Sequence, residues 1–273
     1  VDKPEGWTSQ DVVSKLRGVL KTRRIGHGGT LDPMATGVLV VLLGNATRAS
    51  DHASGQSKEY VARLQLGQVT DTQDVTGTVL EEHPVTVGEE ELRQILPAFT
   101  GDIQQLPPMY SAISVNGKRL YDLARKGMEV ERQSRKVTIF RLECEAFDGI
   151  SAKLLVHCSK GTYIRTLCAD IGAKLGCGGV MCSLRRAGSG NFTLDTAYTI
   201  EALEAMTDDE RLSCLMPTEA LFSDLEKLVL PAFYERLADN GQPIHLKKLY
   251  RGKYDESRYT LGQRMTIIGE NKG

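Results

Sequence analysis

The stretch Arg24 to Gly37, RIGHGGTLDPMATG, gathers the residue types best suited to chemistry. It places one carboxylate, Asp32, behind a glycine-rich turn and a histidine, His27, with Pro33 directly after the acid. An aspartate in a turn ordinarily serves as an Asx-turn or a cap. Here Gly26, Gly28, Gly29 and Gly37 surround it, and an unbroken apolar run, Val38 to Leu43, follows. Such a run predicts a strand buried on both faces. A special loop anchored on a rigid strand is where folds carry reactive groups, so Asp32 is the candidate functional carboxylate. Arg165, in Ser159 to Arg165 (SKGTYIR), is the second candidate, placed in the first turn of a helix. A cation there opposes the helix dipole. That points to a specific partner, such as a carboxylate gripped bidentately. A plain surface arginine is the competing reading.

The elements that must position these groups follow from pattern. Thr8 and Asp11 have capping-box spacing, and Val12, Leu16, Val19 and Leu20 give the helix after them one apolar stripe. It ends in the basic Lys21 to Arg24, which suits a helix C-terminus. Tyr60, Ala62, Leu64 and Leu66 alternate as in a half-buried strand. Thr86 and Glu89 predict the cap of a helix bearing Leu92, Ile95, Leu96 and Phe99. Leu106 to Ala112 contains two prolines and reads as a loop, and Asn116-Gly117 as a tight turn. Val137 to Cys144 and Lys153 to Cys158 are predicted strands. Ser159 to Gly161 turns the chain into a helix with Ile164, Leu167, Ile171 and Leu175 on one stripe, stopped by Gly176. Strands and helices mix without strict alternation, so the predicted fold class is α+β, with a mixed, largely antiparallel sheet flanked by helices and loops. A boundary is expected near Phe222, followed by a small β-rich unit with Tyr250, Tyr254 and Tyr259 among basic residues.

The 273 residues suffice for one large domain, or one plus a small second. An apolar fraction of 41% and a charged fraction of 25% are ordinary for a soluble globular protein. No apolar run approaches membrane-spanning length and no secretory signal is visible. The chain opens at Val1 without methionine, so its natural start is expected upstream. Cys144, Cys158, Cys168, Cys177, Cys182 and Cys214 form no C-x-x-C pair and read as buried thiols of a reducing compartment. The net charge is −1, yet basic residues cluster at Lys21, Arg23 and Arg24, at Lys118, Arg119, Arg125 and Lys126, at Arg132, Arg135 and Lys136, at Arg185 and Arg186, and at Lys247, Lys248, Arg251 and Lys253. Five such clusters permit a basic face for a polyanionic partner; solvated surface charge explains any one of them alone.

Several familiar sites are absent from the sequence. The glycines spell neither a phosphate-binding loop nor a dinucleotide fingerprint, since no Gly-Lys-Ser/Thr follows and the apolar strand comes after them. There is no G-x-S-x-G elbow. The histidines His27, His52, His83, His157 and His245 are scattered, so no metal cluster or triad is readable.

Five blocks, in order, carry a resemblance: KPEGWTSQDVV at Lys3 to Val13, GHGGTLDPMATGVL at Gly26 to Leu39, SKEYVA at Ser57 to Ala62, QLPPMYSA at Gln105 to Ala112 and CSKGTYIRTL at Cys158 to Leu167. Together they resemble the bacterial TruB-type tRNA pseudouridine synthases over nearly the whole chain. Gly28 stands where many members carry threonine. The guide-RNA-dependent synthases of archaea and eukaryotes share parts of the pattern.

The resemblance implies isomerisation of uridine to pseudouridine at position 55 in the T-loop of tRNA, without metal, nucleotide cofactor or water as reactant. Asp32 matches the family's nucleophilic aspartate, attacking either the ribose C1′ or the uracil C6. Arg165 matches the arginine paired with it, and Tyr60 the tyrosine lying against the uracil. Leu184 matches an apolar residue lining the base pocket, and His27 the histidine that fills the gap left when bases leave the stack. Lys21, Arg23, Arg24, Arg185 and Arg186 lie beside these motifs and are candidate phosphate contacts. The implied domains are a catalytic domain over 1–222, with an RNA-binding thumb insertion at about 105–130, and a PUA-like RNA-binding unit over 223–273 that stops before its usual last strand. The expectation is a stand-alone cytoplasmic monomer acting on the tRNA T-stem-loop, without a membrane, an obligatory protein partner or a cofactor. Two alternatives are the catalytic subunit of a guide-RNA particle and a tRNA-folding chaperone that needs no catalysis.

Overall fold

The computed structural model describes residues 1–111, 113–115, 117–124, 126–249 and 263–269. Asn116 of the predicted turn, Arg125, Tyr250, Arg251, Lys253, Tyr254 and Tyr259 lie outside the described residues. The chain divides into two compact units, Val1–Leu215 and Met216–Gly273.

The first unit opens with β1 (Asp2–Lys3), α1 (Ser9–Val19), β2 (Ile25–His27), β3 (Thr36–Val38) and β4 (Val41–Leu43). The capping box of α1 is complete: the Asp11 N–H donates to Thr8 Oγ1 at 3.0 Å, and the Thr8 N–H to Asp11 Oδ2 at 2.8 Å. Val12, Val13 and Leu16 are its buried face. The run Val38 to Leu43 is not one strand, as its unbroken apolarity predicts. It leaves β3 at Val38, and β4 pairs instead with β2, Ile25 opposite Leu43. Val38 to Val40 and Leu42 are buried, while Val41 and Leu43 are half-buried: Val38 lies in the large sheet, and Leu39 enters a second apolar cluster with Val12, Val13, Leu16, Ile25, Ile200 and Leu203. Likewise His27, expected in a loop, ends strand β2.

The chain continues through α2 (Ser50–Gly55), β5 (Lys58–Leu66), the hairpin β6 (Gln68–Thr70) and β7 (Val79–Glu82), α3 (Glu89–Ile95) and β8 (Gly101–Gln105). The N-cap of α3 is Gly88, not Thr86: Glu91 Oε2 accepts from the Gly88 N–H at 2.8 Å, so the acid supplies the cap from inside the helix. Next come β9 (Ser114–Val115) and β10 (Lys118–Arg119), paired antiparallel, then α4 (Leu120–Ala124), β11 (Arg135–Phe147), β12 (Ser151–Cys158), α5 (Ile164–Leu175), β13 (Gly179–Ser189), β14 (Phe192–Thr193), α6 (Ile200–Ala205) and α7 (Asp208–Ser213). Gly176, at φ +78°, ends α5 in the left-handed conformation that suits glycine.

One sheet runs in the order β1-β3-β13-β5-β12-β11-β8, with β14 on β13. Its pairs are antiparallel except β3 with β13. The sheet is therefore mixed and largely antiparallel, and the fold is α+β. Leu64, Ile139 and Leu154 of the sheet share one core with Leu167, Cys168 and Ile171 of α5 and with Leu92 and Leu96. All six cysteines are free, and Cys144, Cys158, Cys168 and Cys177 are buried.

In the second unit, β15 (Glu226–Leu230), α8 (Ala232–Asp239), α9 (Leu246–Leu249) and β16 (Met265–Gly269) follow a 3-10 turn, Thr218–Phe222. β15 and β16 pair in parallel, with Leu228 and Leu230 buried between alternating outward residues. Among the described residues this unit therefore mixes two strands with two helices.

Candidate active site

Asp32 sits in the loop between β2 and β3, and three buried polar side chains fix that loop. Ser9 Oγ accepts from the Leu31 N–H at 2.9 Å and donates to the Leu31 carbonyl. Lys3, fully buried, donates from Nζ to the carbonyls of Pro4, Trp7 and Pro33. Arg186, 1% exposed, donates from Nε to the Val38 carbonyl at 2.6 Å, from Nη2 to Gly29 at 3.1 Å and from Nη1 to Thr30 at 3.4 Å. Gly37 permits this: its φ is +103°, and a Cβ there would stand 2.2 Å from the Arg186 carbonyl.

Arg165 reaches the loop from the first turn of α5. Nε donates to Asp32 Oδ2 at 2.9 Å and Nη2 to Asp32 Oδ1 at 3.3 Å. Nη1 donates to the Thr72 carbonyl at 3.0 Å and Nη2 also to the Tyr110 carbonyl at 2.8 Å. Asp74 Oδ2 lies 3.7 Å from Nε. Two carboxylates thus offset the unfavourable position of a cation at a helix N-terminus. The turn itself is clamped to β8, where Gln105 Oε1 accepts from the Tyr163 N–H and Nε2 donates to the Tyr163 carbonyl. The Arg165 side chain is 5% exposed and that of Asp32 38%. The guanidinium is sealed while the carboxylate keeps an open face.

Tyr60 on β5 lies opposite Arg186 on β13, and Ala62 opposite Leu184. Tyr60 and Met34 pack against the core cluster that holds Leu31, Ala35 and Leu184. Burial pushes the Tyr60 phenol above its usual pKa, against the opposing pull of the Arg186 guanidinium. His27 is half-buried; burial, helped by the charge of Arg186, lowers its pKa and favours the neutral imidazole. Asp32, Arg165, Tyr60, Leu184 and His27 at the end of β2 therefore form one neighbourhood.

The basic candidates separate. Arg186 is no phosphate contact: it is buried, and its fork is turned inward onto loop carbonyls. Arg185 pairs with Asp2 at 2.7 Å and keeps part of its side chain exposed. Lys21 pairs with Asp208 across the surface, Arg24 donates to Thr47 and Asn45, and Arg23 is exposed. Sequence reasoning missed Lys3, Asp74, Lys58 and Gln105. Asp74 is 5% exposed and accepts from Thr72 Oγ1 and from the N–H and Oγ1 of Thr76. Its Thr-rich surroundings, TDTQDVT, signal a local Asx-turn and nothing of Arg165. Lys58, 6% exposed, donates to the carbonyls of Ser54 and Gln56. A buried lysine satisfied by carbonyls has no sequence signature.

A carboxylate held by a buried arginine, in a loop pinned to a mixed and mostly antiparallel sheet, defines a pseudouridine synthase when set beside known proteins. A family model described as TruB family pseudouridylate synthase (N terminal domain) matches residues 17–164, and one described as tRNA pseudouridylate synthase B C-terminal domain matches residues 165–232. The chain belongs to the TruB family. It is 43% identical over 270 residues to a tRNA pseudouridine synthase B of Alkaliphilus oremlandii, covering 99% of this chain and 88% of that one. To the protein of the same name from Pseudomonas fluorescens it is 47% identical over 251 residues, covering 89% and 81%. Among solved structures, a chain of a Cbf5-Nop10-Gar1 complex superposes with a TM-score of 0.66 at 30% identity, covering 84% of this chain. This chain spans 62% of that one.

Proposed function

We propose that the protein converts uridine to pseudouridine at position 55 in the T-loop of tRNA, acting alone as a cytoplasmic monomer. The observation that carries this reading is the bidentate Asp32–Arg165 pair in a member of the TruB family. Relatives named for tRNA share 43–47% identity over most of their length, against 30% for the Cbf5 chain, which disfavours the guide-RNA alternative. No helix among the described residues is long and apolar enough to cross a membrane.

In this reading the target nucleotide flips out of the T-loop. Asp32, oriented by the Arg165 fork, lends an electron pair to C1′ or C6. The N1–C1′ bond breaks, the uracil turns, and a C5–C1′ bond forms. Asp32 is then released, the C5 proton leaves, and N1 gains a proton, so nothing is consumed. Tyr60 stands against the uracil and takes up the C5 proton, while Leu184 lines the pocket. His27 fills the vacated stack, worth about 1–3 kcal/mol. Lys21, Arg23, Arg24 and Arg185 serve as phosphate contacts, residues 105–130 as the thumb that closes on RNA, and the unit after residue 222 as a PUA-like RNA-binding module.

The test is tritium release from a C5-labelled T-stem-loop, without guide RNA or added protein. The parent should release tritium, and Asp32→Asn should not, with stem-loop affinity largely kept. A chaperone without catalysis would release none in either form. A guide-dependent subunit would be inert until guide RNA is added. An Asn variant matching the parent rate would remove Asp32 from the mechanism.

A further inference from the structure

Arg186 poses a question that the reading above does not answer. A guanidinium 1% exposed has lost its water, and such burial is unfavourable unless the charge is used. Its Nε and Nη donors reach main-chain carbonyls: Gly29 and Thr30 just before Asp32, and Val38 just after the loop. Neutral donors could serve carbonyls as well. The other neighbour is Tyr60. The two are direct cross-strand partners, which brings their side chains to one face of the sheet. The Arg186 guanidinium acts on the Tyr60 phenol, pulling its pKa down against the effect of burial.

We propose that Arg186 is a positioning residue for the reaction, gripping the Asp32 loop on one side and the Tyr60 hydroxyl on the other, so that carboxylate and phenol meet the flipped uridine in one fixed relation. The proposal rests on the pseudouridylation reading and deepens it. A donor on the Tyr60 oxygen orients the phenol, and a fixed positive charge favours its ionised form as it takes the C5 proton. The charged and titratable groups facing Tyr60 come from several elements: Arg186 from β13, Asp32 from the loop and Cys158 from β12. Lys58, two residues along β5, faces Arg186 and Cys158. Of those facing Tyr60, Arg186 alone opposes the burial of the phenol; Asp32 and Cys158 reinforce it.

The experiment compares the full-length parent, Arg186→Lys, Arg186→Gln and Tyr60→Phe on the C5-tritiated T-stem-loop. Single-turnover rate and stem-loop affinity are read from about pH 6 to about pH 11.5, past the usual phenol value. The limb of the pH–rate profile that Tyr60→Phe abolishes reports Tyr60. Arg186→Gln should lower the rate about a hundredfold, leave affinity within about threefold, and move that limb upward by about one pH unit. Arg186→Lys, which keeps the charge but not the fork, should slow the reaction at parental affinity with the limb unmoved. Should the Gln variant not fold, the Lys variant still carries the test by those two readouts. Loss of affinity at an unchanged rate, a limb unmoved in a folded Gln variant, or a profile without a Tyr60-dependent limb would overturn the proposal. An inert parent would instead overturn the pseudouridylation reading itself.

Discussion

Arg165 closes its fork on Asp32, Nε to Oδ2 at 2.9 Å and Nη2 to Oδ1 at 3.3 Å, although the two lie 133 positions apart in the chain. Its remaining donors go to the carbonyls of Thr72 and Tyr110, so one side chain ties the Asp32 loop, the turn after β6 and the segment after β8 to the head of α5. The geometry seals the guanidinium and leaves the carboxylate an open face.

Arg165→Lys should reduce turnover more than stem-loop affinity. An ammonium cannot span both oxygens of Asp32 and two carbonyls, and a misplaced nucleophile costs about a hundredfold. Arg165→Ala should also destabilise the fold, by roughly 3–5 kcal/mol, because Asp74 is left as a buried uncompensated charge. Rate and affinity measured on one stem-loop check the first expectation, and urea denaturation the second. Equal losses of rate and affinity in the Lys variant would make Arg165 an RNA contact instead.

Tyr60→Phe keeps the ring in the core and removes only the hydroxyl. Turnover should fall about 10²-fold or more, within the range for a lost general base, with affinity and melting temperature close to the parent. Turnover at the parent rate would show that another group takes the C5 proton.

Burial lowers the Lys58 ammonium from its usual 10.5 to about 8. Between those values the unfolded chain still holds this proton and the folded chain has shed it, so the lysine's contribution to stability rises with pH. Lys58→Met removes the titration. Relative to the parent, its stability curve should lose an upward component of roughly 3 kcal/mol in total between about pH 8 and pH 10.5. Denaturant melts across that window decide it, and parallel curves for the two proteins would refute the burial argument.

A Cβ on Gly28 would stand 2.5 Å from Cβ of Ala53 in α2. Gly28→Ala should therefore cost about 1–3 kcal/mol by overpacking. Gly28→Ala combined with Ala53→Gly should recover most of that loss. A double-mutant cycle in urea gives the coupling, and purely additive effects would mean that the loop and α2 do not press on each other here.

The legible parts of the sequence were local. The Thr8–Asp11 box, the alternation of Tyr60 to Leu66 and the stripe and glycine stop of α5 each depend on residues a few positions apart, and each element formed. Val38 to Leu43 misled because apolarity does not report pairing: Val38 ends a strand of the large sheet, and Val41 to Leu43 pair with β2 instead. Thr86 misled because Glu91 caps α3 through the Gly88 N–H, leaving no need for a hydroxyl. The arginine doublet Arg185-Arg186 is the clearest case. Adjacent strand residues face opposite sides of the sheet, so one pairs with Asp2 at the surface while the other lies under the Asp32 loop. No charge count separates them.

By itself, then, the sequence determined which groups are capable of chemistry, Asp32 in its glycine loop and Arg165 at a helix start, and through its ordered motifs the family to which they belong. Only the tertiary structure decided which cations are spent inside the protein. Arg186 is buried because the carbonyls of Gly29, Thr30 and Val38, far away in the chain, converge on its donors; Lys3 ties Pro33 to its own neighbours Pro4 and Trp7, and Lys58 turns back onto Ser54 and Gln56. The convergence on Arg186 is a property of how the strands stack, not of the residues beside it in the chain.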